Sequence, residues 1–102
     1  MAEYQVANAG EIPAGKSKVV KAGGKELLVC NVKGEFFCID NVCTHDYGLL
    51  GDGEIEGEEI ECPLHGARFN IKTGDVIALP AVDPIKTYPV RLNDGHIIVT
   101  LE

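Results

Sequence analysis

Four side chains in the sequence could do chemistry together. Cys43 and His45 stand in "CTH", Cys62 and His65 in "CPLHG", and sixteen residues separate the two motifs. A thiol and an imidazole this close could be a nucleophile and its base, half of a metal site, or neighbours in a core. The repetition of the pair favours a metal. Two thiolates and two imidazoles suit tetrahedral zinc or an iron–sulfur cluster. Cys2His2 zinc sites tend to take both cysteines from one short motif and both histidines from another. Here each motif supplies one of each, so the thiolates could face one iron and the imidazoles a second. The zinc alternative is a metal-stabilised binding module, and it would be colourless.

The elements that must position these donors read as strands. Each motif follows an apolar run, "FFCIDNV" before "CTH" and "EEIE" before "CPLHG", and each is followed by turn residues. Short apolar runs alternate with turn signals along the whole chain, the pattern of an all-β domain. "YQVA" opens as a strand and "EIPAG" as a turn. "KSKVVKA" and "KELLVCNV" flank Gly23-Gly24, a hairpin signal, and "KGE" at 33–35 joins the second run to "FFCID". Further on, "EIE" and "EEIEC" flank Gly57, "RFNI" and "DVIAL" flank "KTG", and "TYPVRL" and "HIIVTLE" flank "NDG". Twelve glycines and no 3.6-residue periodicity argue against a long helix. The expectation is one domain over 1–102: antiparallel sheets closed into a small sandwich or barrel. Residues 41–78, where strands are shortest and glycines and acids concentrate, would form a functional subdomain of short hairpins and loops. Residues 1–40 and 79–102 would form its base.

Charge narrows the partners. The net charge of −7 leaves no basic surface for nucleic acid. Residues 46–61, "DYGLLGDGEIEGEEIE", hold seven acids and no base, while the remainder balances nine acids against nine bases. That segment is either a solvated acidic loop or a docking face steering a basic partner. No run is long and apolar enough for a membrane span, and "MAEYQVANAG" lacks a basic-then-apolar leader. A soluble, cytoplasmic monomer is expected.

"CTH" with "CPLHG", followed by "RF" and "TG" in "HGARFNIKTG", resembles the Rieske-type [2Fe–2S] ferredoxins. It is most similar to the small ferredoxins that serve aromatic-ring-hydroxylating dioxygenases. The resemblance covers nearly the whole chain, including a "LPA" turn at Leu79–Ala81 like the one that covers the cluster in relatives. It implies a Rieske-like fold and one [2Fe–2S] cluster, with Cys43 and Cys62 on one iron and His45 and His65 on the other. The implied function is one-electron transfer from a flavin-dependent ferredoxin reductase to a terminal oxygenase. The alternative is a Rieske-like small subunit of a larger oxidoreductase such as an assimilatory nitrite reductase. The chain has three histidines, so once His45 and His65 are used only His96 remains for the mononuclear iron an oxygenase needs. Catalysis of oxygenation is excluded by that count.

Ligand choice sets the redox range. Two ferric ions, two sulfides and two thiolates leave the oxidised core neutral, and replacing the imidazoles by thiolates would make reduction harder. The family range is roughly −150 to +300 mV. High-potential relatives carry an extra cysteine in each ligand loop, and those positions here are Gly48 and Leu64. The serine and tyrosine that donate to the cluster sulfurs in those relatives are replaced by Ala67 and Phe69. The resemblance therefore implies a potential at the low end, falling further at alkaline pH as ligand imidazoles lose protons.

Other residues read more simply. With a three-residue loop at 33–35, Cys30 and Cys38 would stand opposite each other, and a cross-strand disulfide is conceivable. Two buried free thiols are the expectation, without a part in the cluster. His96 is expected on an exposed strand with no ligand role, and Tyr47 at the surface or shielding the cluster. Asp46 and Tyr47 depart from the small or amide residues of related loops. Pro63, Gly66 and Gly74 are read as geometric.

Overall fold

In the computed structural model of the chain, residues 2–43, 48–63, 66–78 and 83–101 are described. Short hairpins dominate, because the turn dipeptides suit the twist of antiparallel strands. β2 (Ser17–Ala22) and β3 (Lys25–Val32) meet at Gly23-Gly24, and β3 and β4 (Glu35–Asp40) meet at Lys33-Gly34. Both Lys33 (φ 52°) and Gly34 (φ 93°) lie at positive φ, the signature of a two-residue type I′ turn. β10 (Val90–Asn93) and β11 (His96–Leu101) are joined in the same way at Asp94-Gly95.

Three antiparallel sheets result. The first pairs β1 (Ala2–Asn8), β11 and β10 in that order, with Ala2 opposite Leu101. The second runs β2-β3-β4-β9, where β9 is Thr87–Tyr88. The third holds β5 (Ile55–Glu56), β6 (Glu59–Glu61), β7 (Arg68–Asn70) and β8 (Val76–Ala78) in sequence order. The only helical pieces among the described residues are 3-10 turns at Ala9–Glu11 and Leu50–Asp52. None is long and apolar enough to cross a membrane.

β3 explains how the layers stack. All six residues from Leu27 to Val32 are buried, an unbroken apolar run apart from Asn31. Such a run marks a strand covered on both faces. Successive side chains point to opposite faces. Leu27 and Val29 accordingly join Val20, Ile97 and Val99 in one core, shared with the first sheet. Leu28, Cys30 and Val32 join Cys43, Cys62 and Phe69 in the other, shared with the third sheet. Truncating Leu27 or Leu28 to alanine would cost about 2–5 kcal/mol on either side.

Two expectations are corrected. The Lys33-Gly34 turn is two residues long, not three, so Cys30 pairs with Phe37 and Val29 with Cys38. The one-residue offset sends the two thiols to opposite faces and into different cores, and neither forms a disulfide. "TYPVRL", read as one strand, is two. Pro89 has no N–H to give a ladder, and the chain changes sheet there: β9 pairs with β4, β10 with β11.

Candidate metal centre

Two loops of matching construction present the cysteines. In the first, Val42 and Leu49 form an isolated antiparallel bridge, and the Cys43 N–H donates to Gly48 O at 2.7 Å. In the second, the Cys62 N–H donates to Ala67 O at 2.7 Å, and the Gly66 N–H returns to Cys62 O at 3.1 Å. Each loop is thus closed by a bond from its cysteine to the residue five positions on. Both cysteines are fully buried and belong to the same core, with Leu50, Ile60, Ala67 and Phe69 around them. The structure therefore brings Cys43 and Cys62 to one place. His45, His65, Asp46, Tyr47, Leu64 and the "LPA" turn at 79–81 lie outside the described residues.

The supports of these loops are polar and specific. Asn41, 1% exposed, receives the Gly51 N–H on Oδ1 at 2.8 Å and donates from Nδ2 to Glu26 Oε1 at 2.6 Å. Its carbonyl accepts the Leu50 N–H at 2.7 Å. One residue earlier, Asp40 accepts the Tyr88 hydroxyl at 2.5 Å, which ties the end of β4 to β9. Burial, then this hydrogen bond, raises the Tyr88 phenol above its usual range. Asn41 escaped the sequence reading. An amide closing an apolar strand just before the "CTH" motif was the signal available.

On the second loop's side, Gly74 has φ +82°, and a Cβ there would lie 2.1 Å from Ile85 O. Its N–H donates to Asn70 O and its carbonyl accepts the Ile85 N–H, both at 2.7–2.8 Å. The glycine thus fastens the chain beyond 79–82 to the turn after β7, a geometric role. Gly66 also holds positive φ, with open space where a Cβ would stand.

Arg68 leaves the buried loop and turns to solvent across the third sheet. Its guanidinium lies 3.1 to 3.4 Å from carboxylates of Glu56, Glu59 and Glu61. Lys72 pairs with Glu58 at 3.4 Å. Four of the seven acids in 46–61 therefore have cationic partners, so the acidic segment is less bare than its composition implies. Among the described residues, Asp52 and Glu54 make no ion pair.

The remaining candidates lie on strands rather than on the two loops. Burial pushes the Cys30 and Cys38 thiols up to about 12, with the neighbouring Cys38 charge adding to the first and Asp40 to the second. They are neutral core residues at ordinary pH. His96 is half-buried rather than exposed, with Nδ1 2.7 Å from Asn8 Oδ1 on the paired strand.

All-β layers with two matched cysteine loops facing one core are the setting for a metal centre. Residues 2–89 match the Rieske [2Fe-2S] domain, and the chain belongs to that family. It is 42% identical over 92 residues to the ferredoxin component of naphthalene 1,2-dioxygenase/salicylate 5-hydroxylase systems from Ralstonia sp, covering 90% of this chain and 88% of that protein. It is 37% identical over 102 residues to the biphenyl 2,3-dioxygenase ferredoxin component of Rhodococcus jostii, covering 100% and 95%. The Sphingomonas yanoikuyae B1 ferredoxin structure superposes with a TM-score of 0.93 at 38% identity, covering 99% and 100% of the two chains. A ferredoxin in a complex of reduced oxygenase and oxidised ferredoxin in carbazole 1,9a-dioxygenase superposes with a TM-score of 0.91 at 30% identity, covering 98% and 97%.

Proposed function

We propose that this chain is the one-electron carrier of an aromatic-ring-hydroxylating dioxygenase system. It would take electrons from a flavin-dependent ferredoxin reductase and pass them to a terminal oxygenase. The observation that carries the reading is the pair of buried cysteines, each at the head of a loop closed by the same bond, converging on one core. That donor set suits a Rieske cluster: two thiolates from separate loops, with one histidine following each in the same loop. Cys43 and Cys62 would hold the first iron of a single cluster, and His45 and His65, two and three residues further along the sequence, would hold the second. When bound, the cluster accepts and returns one electron without bond rearrangement. The chain's own residues keep the thiolates away from water and hold the loops rigid through backbone bonds. Segment 41–78 is the cluster-binding part, and 1–40 with 79–102 its base. The two relatives named above are both ferredoxin components, which favours a carrier over a permanent small subunit of a larger reductase; we place that carrier in the cytoplasm.

The test is direct. Purified protein should be red-brown, with about two irons and two acid-labile sulfides per chain. Reduced protein should give a paramagnetic spectrum with average g below 2. Added to a purified reductase and oxygenase pair, it should restore product formation that the pair alone lacks. A colourless protein with stoichiometric zinc would end the reading.

A further inference from the structure

We infer that Asn41 is a positioning residue: with Glu26 it forms a polar latch that sets where the Cys43 loop stands relative to Cys62. The inference rests on the ligand assignment proposed above. Asn41 is buried beneath the exposed Glu26, and a buried amide left unpaired is costly. Its side chain is instead engaged at both ends. Oδ1 accepts from Gly51 at 2.8 Å while Nδ2 donates to Glu26 at 2.6 Å. The carbonyl accepts from Leu50 at 2.7 Å.

These bonds join three pieces of chain. Asn41 stands two residues before Cys43, on the entering limb of the ligand loop. Leu50 and Gly51 follow the leaving limb, just after Gly48, whose carbonyl takes the Cys43 N–H. Glu26 lies on β3, the strand whose Leu28 and Cys30 share a core with Cys62. The latch thus fixes both limbs of one ligand loop to the strand on which the other loop's core is built. The absence of a side chain at Gly51 fits its contact with Asn41. A Cβ there would meet Val19 Cγ2 at 2.7 Å and Asn41 Oδ1 at 3.0 Å, so the backbone is pressed against the amide.

The residue type follows from the geometry. The position needs an acceptor toward Gly51 and a donor toward Glu26 at once, which asparagine supplies. Aspartate keeps the acceptor, loses the donor and faces Glu26 with like charge. A polarity swap offers a repair: in Asn41→Asp combined with Glu26→Gln, the introduced glutamine amide can donate to the introduced carboxylate.

The experiment uses holoprotein of wild type, N41D, E26Q and N41D/E26Q. Iron and sulfide content of the wild type tests the presence of the cluster first, and failure of the functional reading would show there, before any variant. For the variants, the rate of visible bleaching with excess chelator and the g-anisotropy of the reduced spectrum are recorded beside thermal unfolding. N41D should lose its cluster at least about tenfold faster than wild type. Its g-anisotropy should shift, and the double variant should return both readings to within about threefold of wild type. Should N41D be isolated without cluster or unfolded, recovery in the double variant carries the same conclusion. Unchanged bleaching and spectrum in N41D, or failure of the double variant to recover, would overturn the inference. So would a lowered unfolding temperature with both cluster readings unmoved.

Discussion

Cys30 and Cys38 show how much hangs on one backbone angle. Had Lys33 stayed at negative φ in a longer turn, the thiols could have faced each other. The two-residue turn places them on opposite faces of the central sheet instead. A lysine at positive φ is uncommon, so the turn length was not legible in "KGE". Their burial has a consequence for pH. Both thiols are raised from 9.0 to about 12. Between those values the unfolded chain loses protons that the folded chain keeps. Stability contributed by the neutral thiols is therefore intact below pH 9 and lost as pH rises toward 12. We expect the unfolding midpoint in urea to fall over that window, with a ceiling of about 4 kcal/mol per thiol. Cys38→Ala should flatten the dependence. Alkylation of denatured, cluster-free protein should count four thiols, against none for Cys30 and Cys38 in the native state. At the ligand loops, Ala67 and Phe69 are fully buried beside Cys62 and carry no hydroxyl. Ala67→Ser should raise the midpoint potential. A donor that favours the reduced state by roughly 1.4 kcal/mol changes a one-electron equilibrium tenfold, or about 59 mV. A redox titration showing no rise would mean the serine does not reach the cluster.

At the scale of elements, hairpins were the legible part of the sequence. Gly23-Gly24, Gly57 and "NDG" each sit at a turn, and the apolar runs flanking them are strands. Local turn chemistry dictates such pairs, so a short window suffices. Pairings between distant segments were not legible. β1 finds β11 across almost the whole chain, and nothing local to "YQVA" specifies that partner. The split of "TYPVRL" was only half legible: Pro89 announces a break, but the change of sheet comes from what lies on either side. The candidate site divides the same way. Cys43 and Cys62, singled out by their motifs, do meet in one core, whereas Asn41 bonds to residues ten and fifteen positions away. Gly74 gives the test at this scale. With φ +82° and a Cβ 2.1 Å from Ile85 O, Gly74→Ala must displace the segment beyond 79–82. The left-handed conformation alone should cost about 1–2 kcal/mol, and the backbone collision adds to it. Denaturant titration of the variant checks this; an unchanged midpoint would show that the segment yields without cost.

At the scale of the whole molecule, charge and chain path matter most. A net charge of −7 implies a long-range field that favours cationic partner surfaces. The Arg68 and Lys72 pairs remove part of the local contribution of the third sheet, leaving Asp52 and Glu54 without ion pairs among the described residues. We expect the second-order rate constant for electron transfer with the proposed reductase partner to fall about tenfold between low and high salt. Asp52→Asn with Glu54→Gln should flatten that slope more than Glu58→Gln does, as stopped-flow mixing would measure. The layering separates two sides: the central sheet has the loops of Cys43 and Cys62 on one and the β1-β11-β10 sheet on the other. Ala2 and Leu101 are direct partners in that far sheet, so their Cα atoms stand about 5 Å apart. That far sheet lies on the side of the central sheet away from Cys43 and Cys62. A surface attachment made through its outer strands would leave both cysteine loops untouched, so anchoring and redox chemistry could be engineered separately on this scaffold.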